Sequence, residues 1–503
     1  MPNAKRILSA LLASLMLLPT LAACSDEGAG TPADDTTVAD TAADTTTAET
    51  EPRETERHEI KDDLPADLKF DGRTFTMYVG NQSTYDNFVM GVEEKEGDIV
   101  NDAVWERNLN VQEQLDIVLK ADPYAMAYNT IAEGVSTLIL AGDSTYDVFL
   151  GHQYGMATLV SRKMFVDGYT LEHVNFDQPW WMNSYMDELT LGKGARYLLV
   201  SDFNTQAITY IRANFFNKTL YEKLYGDPNE LYQMALDGKF TLDHMNQLIE
   251  GAYSDLNGDG QTDIADQLGM ITTKLQAAVD SYVYGTDVVF TSRDKDGFVQ
   301  LNMINDESVL LAEKLCAFFN QKAISTLADN KQNAIFAAGT SLFLGNGMLS
   351  AAGSTELREM EDDFGILPHP KMDEDQKEYY SLVHDTAMLT GVSVQSKNLD
   401  MVGAILEALA AESYRRVTPT WYESALKLKY ARDDISSQMV DMIKDSMTTN
   451  FIYAYNAALN SLGTVYRTLI TKNTPENFVS TIESKLPAAE TSLTELVKTF
   501  KGE

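Results

Sequence analysis

The sequence predicts an α/β fold built on a parallel sheet. Two observations carry this. "RTFTMYVG", "IVLKAD" and "YDVFLG" read as short strands, the first stopped by Gly80 and the third by Gly151. Between them lie "GDIVNDAVWERNLNVQEQLDI", which sets Val100, Val104, Val111 and Leu115 on one helical face, and "TIAEGVSTLILAG", a helix ending at Gly142. Strands that alternate with helices form a parallel sheet covered on both faces. Trp105, beside Val104, is expected in the core. The middle of the chain, about 214–322, reads as mostly helical with one inserted loop, and the last hundred residues as nearly all helix. No period of 20–50 residues appears, which excludes a solenoid.

The chain of 503 residues is long enough for two or three domains. It opens "MPNAKRILSALLASLMLLPTLAAC". Lys5 and Arg6 form a positive end. Ile7 to Leu18 is apolar but short for a membrane span, and small residues precede Cys24. This resembles a bacterial lipobox. It implies a signal peptide over 1–23, cleavage before Cys24, and acylation of the Cys24 thiol. Residues 25 to about 63 are mostly Thr, Ala, Asp and Glu, without Phe, Trp or Tyr. Such a composition buries too little to offset chain entropy, so 24–67 is expected to be a lipidated, disordered acidic tether.

The formal net charge is −36, which repels phosphate backbones and argues against a nucleic-acid partner. Behind the lipobox the only cysteine is Cys316, in the apolar helical pattern "VLLAEKLCAFFNQ", where it reads as a small core residue. Six histidines are present, but no H-E-x-x-H, no G-x-S-x-G and no phosphate-binding Gly-rich loop accompanies them. These absences argue against an enzyme.

One loop carries metal chemistry. "DLNGDGQTDIAD" places Asp255, Asn257, Asp259, the Gln261 carbonyl, Asp263 and Asp266 at positions 1, 3, 5, 7, 9 and 12, with Gly260 at the sharp turn. These are the oxygen positions of a twelve-residue Ca2+ loop. Asp stands at position 12 where a sensor carries Glu. A helix precedes the loop, but the β-branched "QLGMITT" follows. A structural Ca2+ that pins a helix–strand connection is therefore expected, rather than a sensor.

Several stretches now combine: "GDIVNDAVWERN", "FDQPWW", "RANFFNKTLYEKLYGDPNELYQMALDGKFTLDHMNQL" and "DFGILPHPKMDEDQKEYYS". With the lipobox, their order resembles the extracellular solute-binding lipoproteins of bacterial ABC importers, in the family 1 group that mostly serves carbohydrate uptake. The resemblance runs from about Leu68 to the C-terminus. It implies a two-lobed, periplasmic-binding-protein-like α/β fold of type II, with a hinge and an interlobe ligand cleft. By analogy one lobe is 68–205 plus 345–395, and the other is 206–344 plus 396–503. It further implies a monomer, lipid-anchored on the extracytoplasmic face of the cell membrane, that delivers a sugar or oligosaccharide to ABC permease subunits. Alternatives are a peptide or other small solute on the same fold, or a surface glycan hydrolase.

In open α/β sheets ligands sit beyond the carboxyl ends of the strands. A sugar has an apolar face and a rim of hydroxyls, so it suits aromatic platforms beside fixed polar groups. Tyr85, Trp180, Trp181, Trp421 and Tyr422 are the candidate platforms. Asn81, His152, Gln153, Asp202, Asn204 and Asn346 are the candidate polar partners.

Overall fold

A computed structural model describes residues 57–80, 86–124, 130–192, 194–273, 275–327, 331–422 and 434–501. The proposed signal segment, Cys24 and the acidic tether up to residue 56 lie outside the described residues, whereas 57–67, expected as part of the disordered tether, lies folded with Ile60 and Leu64 against the core. In chain order the elements that place the site begin with β1 (Arg73–Gly80), α1 (Ile99–Leu115), β2 (Ile117–Tyr124), α2 (Ile131–Leu140), β3 (Val148–His152) and β4 (Arg212–Asn217). Then come α3 (Asn229–Leu236), α4 (Leu242–Ala252), β5 (Leu268–Thr273), α5 (Leu275–Tyr284), α6 (Asp306–Phe319), β6 (Ile324–Leu327), β7 (Ser341–Met348) and β8 (Phe364–Leu367). The rest are β9 (Ser381–Leu382), β10 (Met388–Val392), α7 (Leu399–Glu412), α8 (Asp434–Asp445), β11 (Met447–Thr448), α9 (Phe451–Ala454), α10 (Val465–Lys472) and α11 (Phe478–Lys501).

These strands form two main sheets. The first has the order β10-β3-β1-β2, with β1 parallel to β2 and β3, and β10 antiparallel at the edge. The three sequence-read strands are β1, β2 and β3. The second has the order β8-β4-β7-β5-β6, with β5 parallel to β6 and β7 and β4 antiparallel to both its neighbours. Parallel strands need crossover helices, and these cover both sheets. The Asp98 side chain caps α1 by accepting from the N–H groups of Val100 (3.0 Å) and Asn101 (2.9 Å), and Asp116 in the left-handed region (φ 49°) ends it. Trp105 departs from expectation. Its ring is half-buried, its N–H reaches the Glu93 carbonyl at 3.2 Å, and Lys95 lies over it, so it lies at the surface beside the core.

Sheet membership moves the lobe boundaries. β7 and β8 belong to the second sheet, so the first lobe resumes only near β10, not at residue 345. α7 packs against α1, so the first lobe also keeps the chain past 396, and the lobes separate again after Tyr422. The second lobe then takes α10, which packs on α5 and α6. Three chain passages therefore join the lobes. The first two meet in a narrow ribbon with β11: β9 pairs in parallel with β11, Ile211 bridges Val383, and the His384 N–H donates to the Tyr210 carbonyl at 3.1 Å, while the third runs through 423–433, outside the described residues. These pairings come from residues far apart in sequence.

α7 shows how the first lobe is held. Met401 to Glu412 are all buried, an apolar run with Glu407 in its middle. A lone buried carboxylate is costly unless donors surround it. Glu407 accepts the indole N–H groups of Trp180 and Trp181, each at 3.0 Å, and the Asn175 N–H at 3.2 Å. Burial nevertheless pushes its carboxyl up to about 7, against those hydrogen bonds, which pull it down. A carboxyl raised above its ordinary 4.5 contributes stability that is complete below that value and is lost as pH rises through about 7. Glu407→Gln removes this slope. It also leaves one buried indole N–H without an acceptor, at about 1–3 kcal/mol. Thermal unfolding from pH 5 to 8 checks both effects: the variant should melt lower and show a flatter pH profile than the wild type.

Candidate functional site between the two sheets

The two sheets present the same edge to each other. β3 ends at His152, which pairs with Met388 at the start of β10, and β7 ends at Met348, which pairs with Arg212 at the start of β4. The ribbon joining the lobes runs between these edges. The residues gathered there are Arg212, Asp280 of α5, His384 and Asp385 of the second passage, Tyr453 of α9 and Arg467 of α10.

Their geometry is well defined. Arg212 is buried and donates through Nη1 to the Asn346 carbonyl at 2.8 Å. Asn346 can present that carbonyl because its backbone sits in the left-handed region (φ 61°), which Asn tolerates. The Ser281 hydroxyl donates to the Asn346 side-chain oxygen. Arg467 forks onto the buried Asp280, with Nε 2.9 and 3.1 Å from its two oxygens and Nη2 on Oδ2. The Asp385 N–H donates to the Tyr453 hydroxyl at 3.3 Å, and the His384 Nδ1 lies 2.7 Å from the Thr386 hydroxyl. The side chains of His384, Asp385 and Arg467 keep 19%, 29% and 26% of their surface in solvent, so the cluster has a buried floor and an open side.

Electrostatics follow from this burial. The His384 imidazole is driven well below its usual range by burial, then by Arg212 and Arg467, and burial takes His152 down to about 4. Both rings are therefore neutral at pH 7. Burial lifts the Asp385 carboxyl, while Arg467 and Arg212 pull it down. Burial pushes Asp280 up to about 6 against the Arg467 fork, so it is a carboxylate at neutral pH. Burial also works against the Arg467 charge, but the Asp280 bonds outweigh it and hold that guanidinium above its ordinary value. Two guanidinium groups thus lie among two acidic side chains. A site of planar two-point donors and acceptors, beside tyrosine rings, suits a ligand rich in hydroxyl groups.

The sequence-predicted residues divide. His152 and Asn346 reach this edge. Gln153 lies beside it, accepting from the Thr449 hydroxyl at 3.1 Å and from Tyr185, with its own buried Nε2 lacking a partner. Asn81 and Tyr85 lie outside the described residues. Trp180 and Trp181 are not exposed platforms, because their rings are buried and their N–H groups are bound to Glu407. Asn204 braces β10 through the Met388 carbonyl (3.2 Å) and the Thr390 hydroxyl (3.0 Å). Asp202 is buried and paired with Arg57. Trp421 and Tyr422 are buried edge to face, with ring centroids 5.5 Å apart, on the first lobe.

The 255–266 loop joins α4 to β5, as its flanks predict, and a Ser254–Gln267 bridge closes its mouth. It is folded on its own backbone. Asp255 accepts from the N–H groups of Gly258 (2.7 Å) and Gly260 (2.9 Å). Asn257 accepts from Asp259 (2.9 Å), and Asp259 from Gln261 (2.7 Å). Asp263 accepts from Ala265 (2.7 Å), and the buried Asp266 from Leu256 (3.1 Å). Among the described residues no three His, Cys, Asp or Glu side chains gather as a metal-holding group. Donor order, and not this geometry, is therefore what points to Ca2+ here.

Arg467→Ala leaves Asp280 buried without its partner. Breaking one side of a buried pair costs about 3–5 kcal/mol, and solvent access to Arg467 points to the lower end. The double variant Asp280→Leu/Arg467→Met should recover part of that loss. Denaturant unfolding of the singles and the double checks this; equal loss in the double and in Arg467→Ala would mean that the stranded charge is not the cause.

Neither a protein-family model nor a curated relative matches the chain. Solved structures do. The galacto-N-biose-/lacto-N-biose I-binding protein of the ABC transporter from Bifidobacterium longum, in complex with lacto-N-biose, is 14% identical. It aligns over 86% of this chain and 99% of its own, with a TM-score of 0.54. A cyclo/maltodextrin-binding protein complexed with maltotetraose is 14% identical over 85% and 97%, with a TM-score of 0.53. At such identity the likeness is one of fold: this chain has the two-lobed α/β fold of the periplasmic binding proteins.

Proposed function

We propose that the protein is a solute-binding protein that captures a sugar or oligosaccharide between its lobes and passes it to an ABC permease. The observation that carries this is the arginine–aspartate cluster where the carboxyl edges of the two sheets meet. Two features support it: the fold is that of proteins solved with bound sugars, and the narrow ribbon between the lobes lets them close as a hinge. Binding without turnover is the expected activity. The lipobox-like start supports anchoring through Cys24 on the extracytoplasmic face. No described helix is long and apolar enough to cross a membrane.

A ligand that binds only the folded protein raises its apparent stability. A thermal-shift panel of mono- and oligosaccharides on residues 57–503 should therefore find at least one that raises Tm. Arg212→Ala should lose that shift, with affinity falling roughly 10- to 150-fold for the lost charged hydrogen bonds, about 1.5–3 kcal/mol. Tm shifts from peptides but from no sugar would move the assignment to the peptide class.

Structural Ca2+ in the 255–266 loop is a separate proposal. A chelator should lower Tm, and Asp259→Ala should reproduce the loss without altering sugar preference. Equal Tm with chelator and with added Ca2+ would refute it.

A further inference from the structure

The segment 57–64 connects the N-terminal tail to the first lobe, and one arginine fixes it. Arg57 donates through Nη2 to Asp202 Oδ1 at 2.9 Å and through Nε to the Tyr414 carbonyl at 2.7 Å, and it lies 3.8 Å over the Tyr414 ring. This socket is a built feature. Residues Ser413–Val417 wind as a π-turn, in which the Thr418 N–H returns to the Ser413 carbonyl. The next carbonyl, that of Tyr414, would take its hydrogen from residue 419. That residue is Pro419, which has none. The helix therefore leaves an acceptor open, and Arg57 fills it. Asp202 is equally prepared: it is buried, and it stands where the first passage leaves the first lobe.

A second cation faces the same carboxylate. Lys444 belongs to α8, which packs against α3 and β8 of the second lobe. Its ammonium lies 5.7 Å from the Tyr422 ring and within electrostatic reach of both Asp202 and Arg57. Arg57 comes from the tail and Lys444 from the second lobe, and both address one buried charge. The rest of the segment is fastened by polar contacts, Arg415 to the Ile60 carbonyl (3.0 Å) and Gln114 to Asp62 (3.1 Å), and by Ile60 and Leu64, which pack half-buried against the core. It spans a cavity of about 750 Å³ lined by His58, Lys61, Lys69 and Arg416, among others.

We propose that Arg57 is a latch on the hinge: its guanidinium and the Lys444 ammonium compete for Asp202, so that docking of the N-terminal segment and the setting of the two lobes are coupled. With Arg57 seated, Asp202 is held by the first lobe's own tail. With Arg57 withdrawn, Asp202 draws Lys444 and the second lobe with it. The inference rests on the lobes and not on the identity of any ligand.

The test uses the full chain carrying Cys24→Ser, with spin labels on cysteines placed at the exposed Leu140 and Glu230, one on each lobe. Arg57→Gln should shift the interlobe distance distribution. It should also speed tryptic cleavage after the exposed Lys61 roughly tenfold, because charge-assisted bonds are lost. Lys444→Gln in the Arg57→Gln background should restore the wild-type distances. Arg57→Lys keeps the charge but not the fork, and should fall between. If Arg57→Gln releases the segment to trypsin while the distances stay as in the wild type, or if neither readout moves, the latch is wrong. If the Lys444→Gln double variant keeps the full shift, Lys444 is not the competitor.

Discussion

Two arginines and two aspartates sit where the carboxyl edges of two sheets face each other, and much of the hinge is arranged around them. Burying charge is tolerable only when each group finds partners. Arg467 finds Asp280 across two helices of the second lobe, Arg212 finds the Asn346 carbonyl held out by a left-handed turn, and Asp385 lies beside Tyr453. Each of these contacts joins segments far apart in sequence. The lobes therefore have to be complete before the cluster exists.

The same logic recurs away from the cleft. Glu407 is a carboxylate inside an apolar helix, and it makes two tryptophans structural by taking their N–H groups. Asp202 is a buried carboxylate made acceptable by Arg57. In both cases one charged side chain decides what the neighbouring aromatic residues can do. Rings whose N–H groups and faces are committed to the core are not available as platforms for a ligand.

Local pattern was enough for the strands of the first lobe. β1, β2 and β3 announce themselves by alternation or apolar runs, with Gly80 and Gly151 as stops. α4, the loop and β5 were readable for similar reasons. The lobe boundaries were not, because β8 joins the second sheet by pairing with β4, about 150 residues earlier in the chain, and no local signal encodes that partner. Trp180 and Trp181 read as ligand platforms only because Glu407, which takes their N–H groups, lies more than 200 residues away. The cluster did leave a signal that went unread: Arg212 in "AITYIRANFF" and Asp280 in "AAVDSYVYG" are single charges inside apolar runs. Such residues are rarely buried without a partner. A search for lone charges in apolar elements would have found the floor of the site, where a search for tryptophans found the core of a lobe.

The central claim is that this cluster contacts the ligand. It is tested most directly by following the Nε–H resonances of Arg212 and Arg467 in protein carrying 15N-labelled arginine, assigned by Arg→Lys substitution, while a sugar that raises Tm is titrated in. The account predicts that both resonances shift and saturate together with the thermal effect, while that of Arg162, which pairs with Glu133 on the first lobe, stays in place. Saturable binding of the sugar that leaves both arginine signals unmoved would contradict it.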